Sequence, residues 1–213
     1  MQLKAHFAFA AASLLLAAGP ARADTITFET LSVGTVVSNQ FAGVIFSPNA
    51  FSGAGSSSSG ENWATNTDLT VVSSTSADVG GLGVPSLVSG NILHSFGGWV
   101  NEDGDPSFRI SFAAPINSFA ATFAGVNVAA DVTIWAFNGP VQVGIVSGST
   151  TGQFTLSLAA STITSVVVRP GSFVDWVGVD NITYTPATSV PEASTYAMMA
   201  LGLALLAFKR RAR

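Results

Sequence analysis

An all-β sandwich of jelly-roll topology is the fold that the sequence predicts for residues 24–186. Three observations carry that expectation. From Asp24 on, apolar residues recur at every second position, the periodicity of a strand with one buried face. Gly, Asn, Ser and Pro clusters cut this pattern into pieces of strand length. No window between Asp24 and Pro186 has the spacing of an amphipathic helix.

The strands are read in order. Ile26 and Phe28 alternate with Thr25, Thr27 and Glu29 at the start. Phe108, Ile110 and Phe112 alternate with Arg109 and Ser111, and Phe119, Ala121 and Phe123 repeat the pattern. Val132, Ile134 and Ala136 follow, then Val141, Val143 and Ile145, then Phe154, Leu156 and Leu158. Ile163 to Val168 is a β-branched run, and Val177 to Thr185 closes the domain. Ser52 to Gly60 is too rich in Gly and Ser for a strand, and Ser76 to Gly98 predicts long loops or a short edge strand.

Both ends differ from this domain. Residues 1–23 combine Lys4, an apolar core from Phe7 to Ala18, and Ala21-Arg22-Ala23 in the small-x-small pattern of a signal peptidase site. That is a secretory signal peptide, and Asp24 becomes the new N-terminus. Residues 187–213 form a sorting and anchor segment. Val190-Pro191-Glu192 precedes an apolar run from Tyr196 to Phe208, which precedes Lys209-Arg210-Arg211-Ala212-Arg213. As a helix the apolar run would measure about 20 Å, a short anchor against a hydrocarbon core of about 30 Å, with the terminal cations held cytoplasmic.

The tail resembles the PEP-CTERM sorting signal of Gram-negative bacteria, with Pro191-Glu192-Ala193 standing where that family has Pro-Glu-Pro. The resemblance implies export across the inner membrane, processing by an exosortase, and a cell-surface or extracellular destination. It also implies a structural or adhesive role in exopolysaccharide or biofilm.

Composition excludes several functions. Between Asp24 and Val190 only Arg109 and Arg169 are basic, against eleven acids, a net charge of −9. A chain so poor in cations cannot neutralise phosphates, which excludes nucleic acid as a partner. Without cysteine there is no thiol catalysis, disulfide or thiolate metal site. His94 is the only histidine after residue 23, and no nucleophile-elbow pattern accompanies it, so catalytic residues are expected to be none.

Two sets of residues remain as candidate sites. Thr27-Phe28-Glu29 and Val177-Gly178-Val179-Asp180-Asn181-Ile182 resemble the first and last strands of calcium-binding jelly-roll domains in carbohydrate-binding modules. The resemblance implies that these strands meet and that Glu29 and Asp180 hold a structural calcium. If Asp180 shares the face of Ile182 and Tyr184, a buried carboxylate there needs a cation or donors. Asn101-Glu102-Asp103-Gly104-Asp105 reads instead as a solvated turn.

Trp63 beside Asn62 and Trp99 two residues before Asn101 are the candidate platforms for a neutral sugar ring, with Trp135 in a second row. They support an alternative function as a carbohydrate-binding module for the host's own polysaccharide. A polysaccharide-cleaving enzyme using two carboxylates is a further alternative, though no local pattern marks such a pair. Exposed β edges without lysine favour self-association.

Overall fold

The computed structural model describes residues 22–48, 69–76, 87–94, 107–171 and 177–187. They are nearly all strand. In chain order these are β1 (Asp24–Ile26), β2 (Val44–Pro48), β3 (Thr70–Ser73), β4 (Asn91–His94), β5 (Phe108–Val126), β6 (Thr133–Asn138), β7 (Val141–Ser147), β8 (Gly152–Arg169) and β9 (Gly178–Pro186). One short 3-10 turn, Ala129–Asp131, joins β5 to β6.

All pairings are antiparallel, and the order is β3-β4-β9-β5-β8-β6-β7, with β1 on β9 and β2 on β5. The sheet is continuous, yet it makes a sandwich because β5 and β8 are long and bent. The start of β5 lies between β2 and the end of β8, with β6 and β7 beyond. Past register shifts between Ser111 and Ser118, the rest of β5 lies between β9 and the start of β8. Such irregularities sharpen the twist and let one sheet fold over. Phe46, Phe108, Ile134 and Val168 from one half then share a core with Ile26, Phe119, Phe123 and Ile182 from the other.

Phenylalanine supplies much of that core. Phe28 meets Phe41 and Phe46 edge-on at 5.8 and 6.3 Å, and Phe46 stacks on Phe108 at 6.2 Å. The fully buried rings of Phe28, Phe46 and Phe108 each contribute about 1.5–3 kcal/mol, which helps a cysteine-free chain hold its sandwich.

Several expectations change. The runs at 108–112 and 119–123 are one strand, as are 154–158 and 163–168. The stretch from Ser76 to Gly98 contains β4, which is not an edge: it lies between β3 and β9. The signal peptide to Ala21, most of the sorting segment, Trp63, Trp99 and the acidic cluster at 101–105 lie outside the described residues. Among the described residues no helix is long and apolar enough to cross a membrane.

Candidate functional site

β1 and β9 meet as the motifs implied, with Asp24 opposite Tyr184 and Ile26 opposite Ile182. Just past β1 the chain turns, Leu31 N–H bonding back to Phe28 O at 3.0 Å while the Phe28 ring is buried. This anchors Glu29, whose Oε1 accepts the Asn91 N–H at 3.3 Å. Asn91 in turn donates its side-chain N–H to Leu31 O at 2.8 Å, so the turn after β1 is stapled to the start of β4.

Glycine at position 90 suits this staple. Its φ of +68° lies in the left-handed region, and a Cβ there would collide with both Glu29 carboxylate oxygens. Loop backbone and carboxylate can approach so closely only because no side chain intervenes.

Asp180, on β9, lies against the same loop. It is 3% exposed, and backbone N–H groups of Asn181 and Ser89 donate to its carboxylate. Its Oδ1 has no hydrogen-bond partner. Burial is the largest influence on its acidity, and with Glu29's negative charge it pushes the pKa up from 3.8 to about 6 against those two donors. A buried carboxylate with an orphaned oxygen, repelled by a second carboxylate, is a costly arrangement for a protein alone.

The orientation of Asp180 departs from plain alternation. Ala120 pairs with Thr183 but Thr122 pairs with Asp180, so β9 carries one extra residue there. Asn181 takes it up with φ +49°, and its side chain donates to Leu87 O at 3.0 Å. Val179 and Ile182 therefore both enter the core, and Asp180 does not share the face of Ile182 as strict period two required.

Glu29 and Asp180 suit a hard cation that takes oxygen ligands. They supply two carboxylates, one with a free buried oxygen, and calcium would need carbonyls or waters to complete its shell. Among the described residues no three His, Cys, Asp or Glu converge, so a zinc-type cage has no ligands.

The aromatic candidate differs from expectation. Trp135 is not an exposed platform: it is 8% exposed and clusters with Phe137 and Val167 on the side of β6 and β8 away from the main core. Arg169 lies over the Trp135 ring at 5.5 Å and Arg109 over Phe137 at 5.2 Å, with Arg109 also donating to Ser165 Oγ at 2.7 Å. Both basic residues of the domain are thus spent on covering aromatic rings. A shallow cavity of about 340 Å³ opens elsewhere, over Ser118, Ala120, Ser157, Ala159 and Thr183, and no carboxylate lines it.

The final 25 residues, 189–213, match the family model described as the PEP-CTERM protein-sorting motif. The chain carries a PEP-CTERM sorting signal. That signal marks an exported protein processed by an exosortase. No curated protein matches the sequence. Among solved structures the chain is similar to a cleaved adhesin domain of Lys-gingipain, at 14% identity and TM-score 0.48 over 77% of this chain and 99% of that one. A second cleaved adhesin domain of Lys-gingipain, from Porphyromonas gingivalis, matches at 12% identity and TM-score 0.42 over 76% and 97%. A family 29 carbohydrate-binding module matches at 15% identity and TM-score 0.29 over 45% and 66%.

Proposed function

We propose that this PEP-CTERM protein is an exosortase-processed cell-surface or extracellular-matrix protein with a structural, adhesive role in exopolysaccharide or biofilm. A calcium ion held by Glu29 and Asp180 closes its sandwich. The sorting motif at residues 189–213 is the observation that carries the reading.

The fold is consistent with processing at both ends. Asp24, the first residue after the signal peptidase site at Ala21 and Ala23, pairs with Tyr184 two residues before β9 ends. The Ala187 N–H bonds to Pro115 O at 2.9 Å, and the sorting residues Val190, Pro191 and Glu192 follow within a few positions. The described domain therefore begins and ends on neighbouring strands, β1 and β9.

The absence of a marked catalytic constellation in the sequence favours binding or scaffolding over turnover. The cation would lock the turn after β1, the loop at Ser89–Gly90 and β9 together. Replacing Pro191-Glu192 with Ala-Ala tests the sorting half: the chain should accumulate uncut in the membrane fraction of its host, and normal release would refute that half. The alternative, a module for the host's own polysaccharide, rests on Trp63 and Trp99. It requires glycan binding that Trp63→Ala or Trp99→Ala abolishes, and a blank glycan panel counts against it.

A further inference from the structure

β7 ends the sheet beyond β6, and among the described residues no other strand pairs with it. Two other outer strands are covered by their own chain. On β2, the Phe46 N–H bonds to Ser38 O at 2.7 Å. On β3, Val71 accepts from Gly34 N–H at 2.8 Å and donates to Thr35 O at 2.9 Å. β7 instead presents Val141, Val143 and Ile145 to solvent at 61, 37 and 56% exposure.

An uncovered edge strand is a template for pairing with another strand, and proteins usually block it with charges or proline. Between Val141 and Ser147 there is neither, and the edge is interrupted only by the bulge at Val143. The uncharged stretch extends from Val132 to Val168, across β6, β7 and nearly all of β8. In a domain whose net charge is −9, this is the side on which two copies can approach without carboxylates meeting.

We propose that β7 is a homotypic docking edge, on which β7 of a second copy pairs antiparallel about a two-fold axis at Gly144. Gly144 is the middle residue of the strand, so this register overlaps all seven residues. It sets Val143 of each copy opposite the partner's Ile145, and the two-fold makes that pair twice. Val143 has no partner on β6, because a bulge there pairs Ala136 with Gly144 and Phe137 with Gln142.

The occupant follows from the chemistry of the edge. β7 itself offers a charged peptide no counter-charge, the nearest cations, Arg109 and Arg169, being held over Phe137 and Trp135 on the neighbouring β6, and the edge takes a neutral, β-branched strand of seven residues. β7 is itself such a strand. One ladder alone makes a small interface, well under about 1,200 Å², so the contact is weak in dilute solution and gains from crowding at a cell surface. It does not depend on the cation site.

The test is sedimentation of the full chain in detergent over a concentration series, beside Ile145→Lys and Ile45→Lys. Ile45 is comparably exposed, at 54%, but lies on β2. The dimer fraction should rise with concentration, and affinity should fall by about tenfold or more in Ile145→Lys while Ile45→Lys matches the parent. Because the chain has no cysteine, Val143→Cys and Ile145→Cys can also be mixed and oxidised. Cross-linked dimer should form in the mixture well above either variant alone. A chain monomeric up to about 1 mM, a dimer that Ile145→Lys leaves intact, or equal cross-linking in all three samples overturns the proposal.

Discussion

Asp180→Asn separates the cost of a buried carboxylate from the stability that a cation returns. In the folded chain the carboxyl has its pKa raised from 3.8 to about 6, chiefly by burial. A group raised in the folded state favours folding when protonated. Its contribution is fully present below pH 3.8 and is lost as the pH rises to about 6. At 1.36 kcal/mol per pH unit the cation-free protein forfeits about 3 kcal/mol by neutral pH. Calcium at about a hundred times its dissociation constant would offset about 2.7 kcal/mol, nearly the same amount.

Asparagine keeps the shape without the charge. At pH 7 in chelator, Asp180→Asn should therefore melt higher than the parent, by up to about 6–12 °C at 2–4 °C per kcal/mol. Adding calcium should raise the parent by a similar amount and leave the variant unmoved. Differential scanning calorimetry in EDTA and in calcium, at pH 4.5 and pH 7, reads all of this. The parent in EDTA should melt higher at pH 4.5 than at pH 7 as far as this group decides it. An Asp180→Asn variant that melts lower in EDTA, or that keeps the full calcium response, would refute the reasoning.

Three other substitutions probe the same framework. Glu29→Gln removes the neighbouring charge that helps raise Asp180, and calcium titration should show affinity weakened by at least about tenfold. Gly90→Ala forces a Cβ into the Glu29 carboxylate at a left-handed φ, and denaturant unfolding should register a loss of about 1–3 kcal/mol. Trp135→Ala empties the cluster under Arg169, costing about 3–5 kcal/mol by the same measurement if the ring is core rather than a ligand platform.

The sequence made β1, β6 and β7 readable because apolar residues recur at every second position along them, although β6 is buried on both faces. β4 was hidden for the opposite reason. Ile92, Leu93 and His94 are all buried, and this strand, covered on both faces, shows no period two. β5 and β8 were read as two strands each because the apolar alternation lapses between residues 112 and 119 and between 158 and 163, where the chain continues as strand with shifted register.

At the site, the meeting of the first and last strands was legible from two short motifs, and β1 does lie against β9. Two further contributors were not. Gly90 lies in a glycine-dotted stretch where nothing marks one glycine over another, and its role appears only through the close approach of Glu29. The extra residue at Asn181 reverses the face of Asp180, and asparagine's tolerance of positive φ was its only sign. Trp135 illustrates a different gap: its position in the alternation gave its face, but not the arginine that covers it.

Export with removal of both ends is the central claim, and the intact mass of the protein from its host's extracellular fraction, with terminal peptide mapping, tests it most directly. The account predicts a chain that begins at Asp24 and ends near Pro191. A released chain still carrying Tyr196 to Arg213 would contradict it.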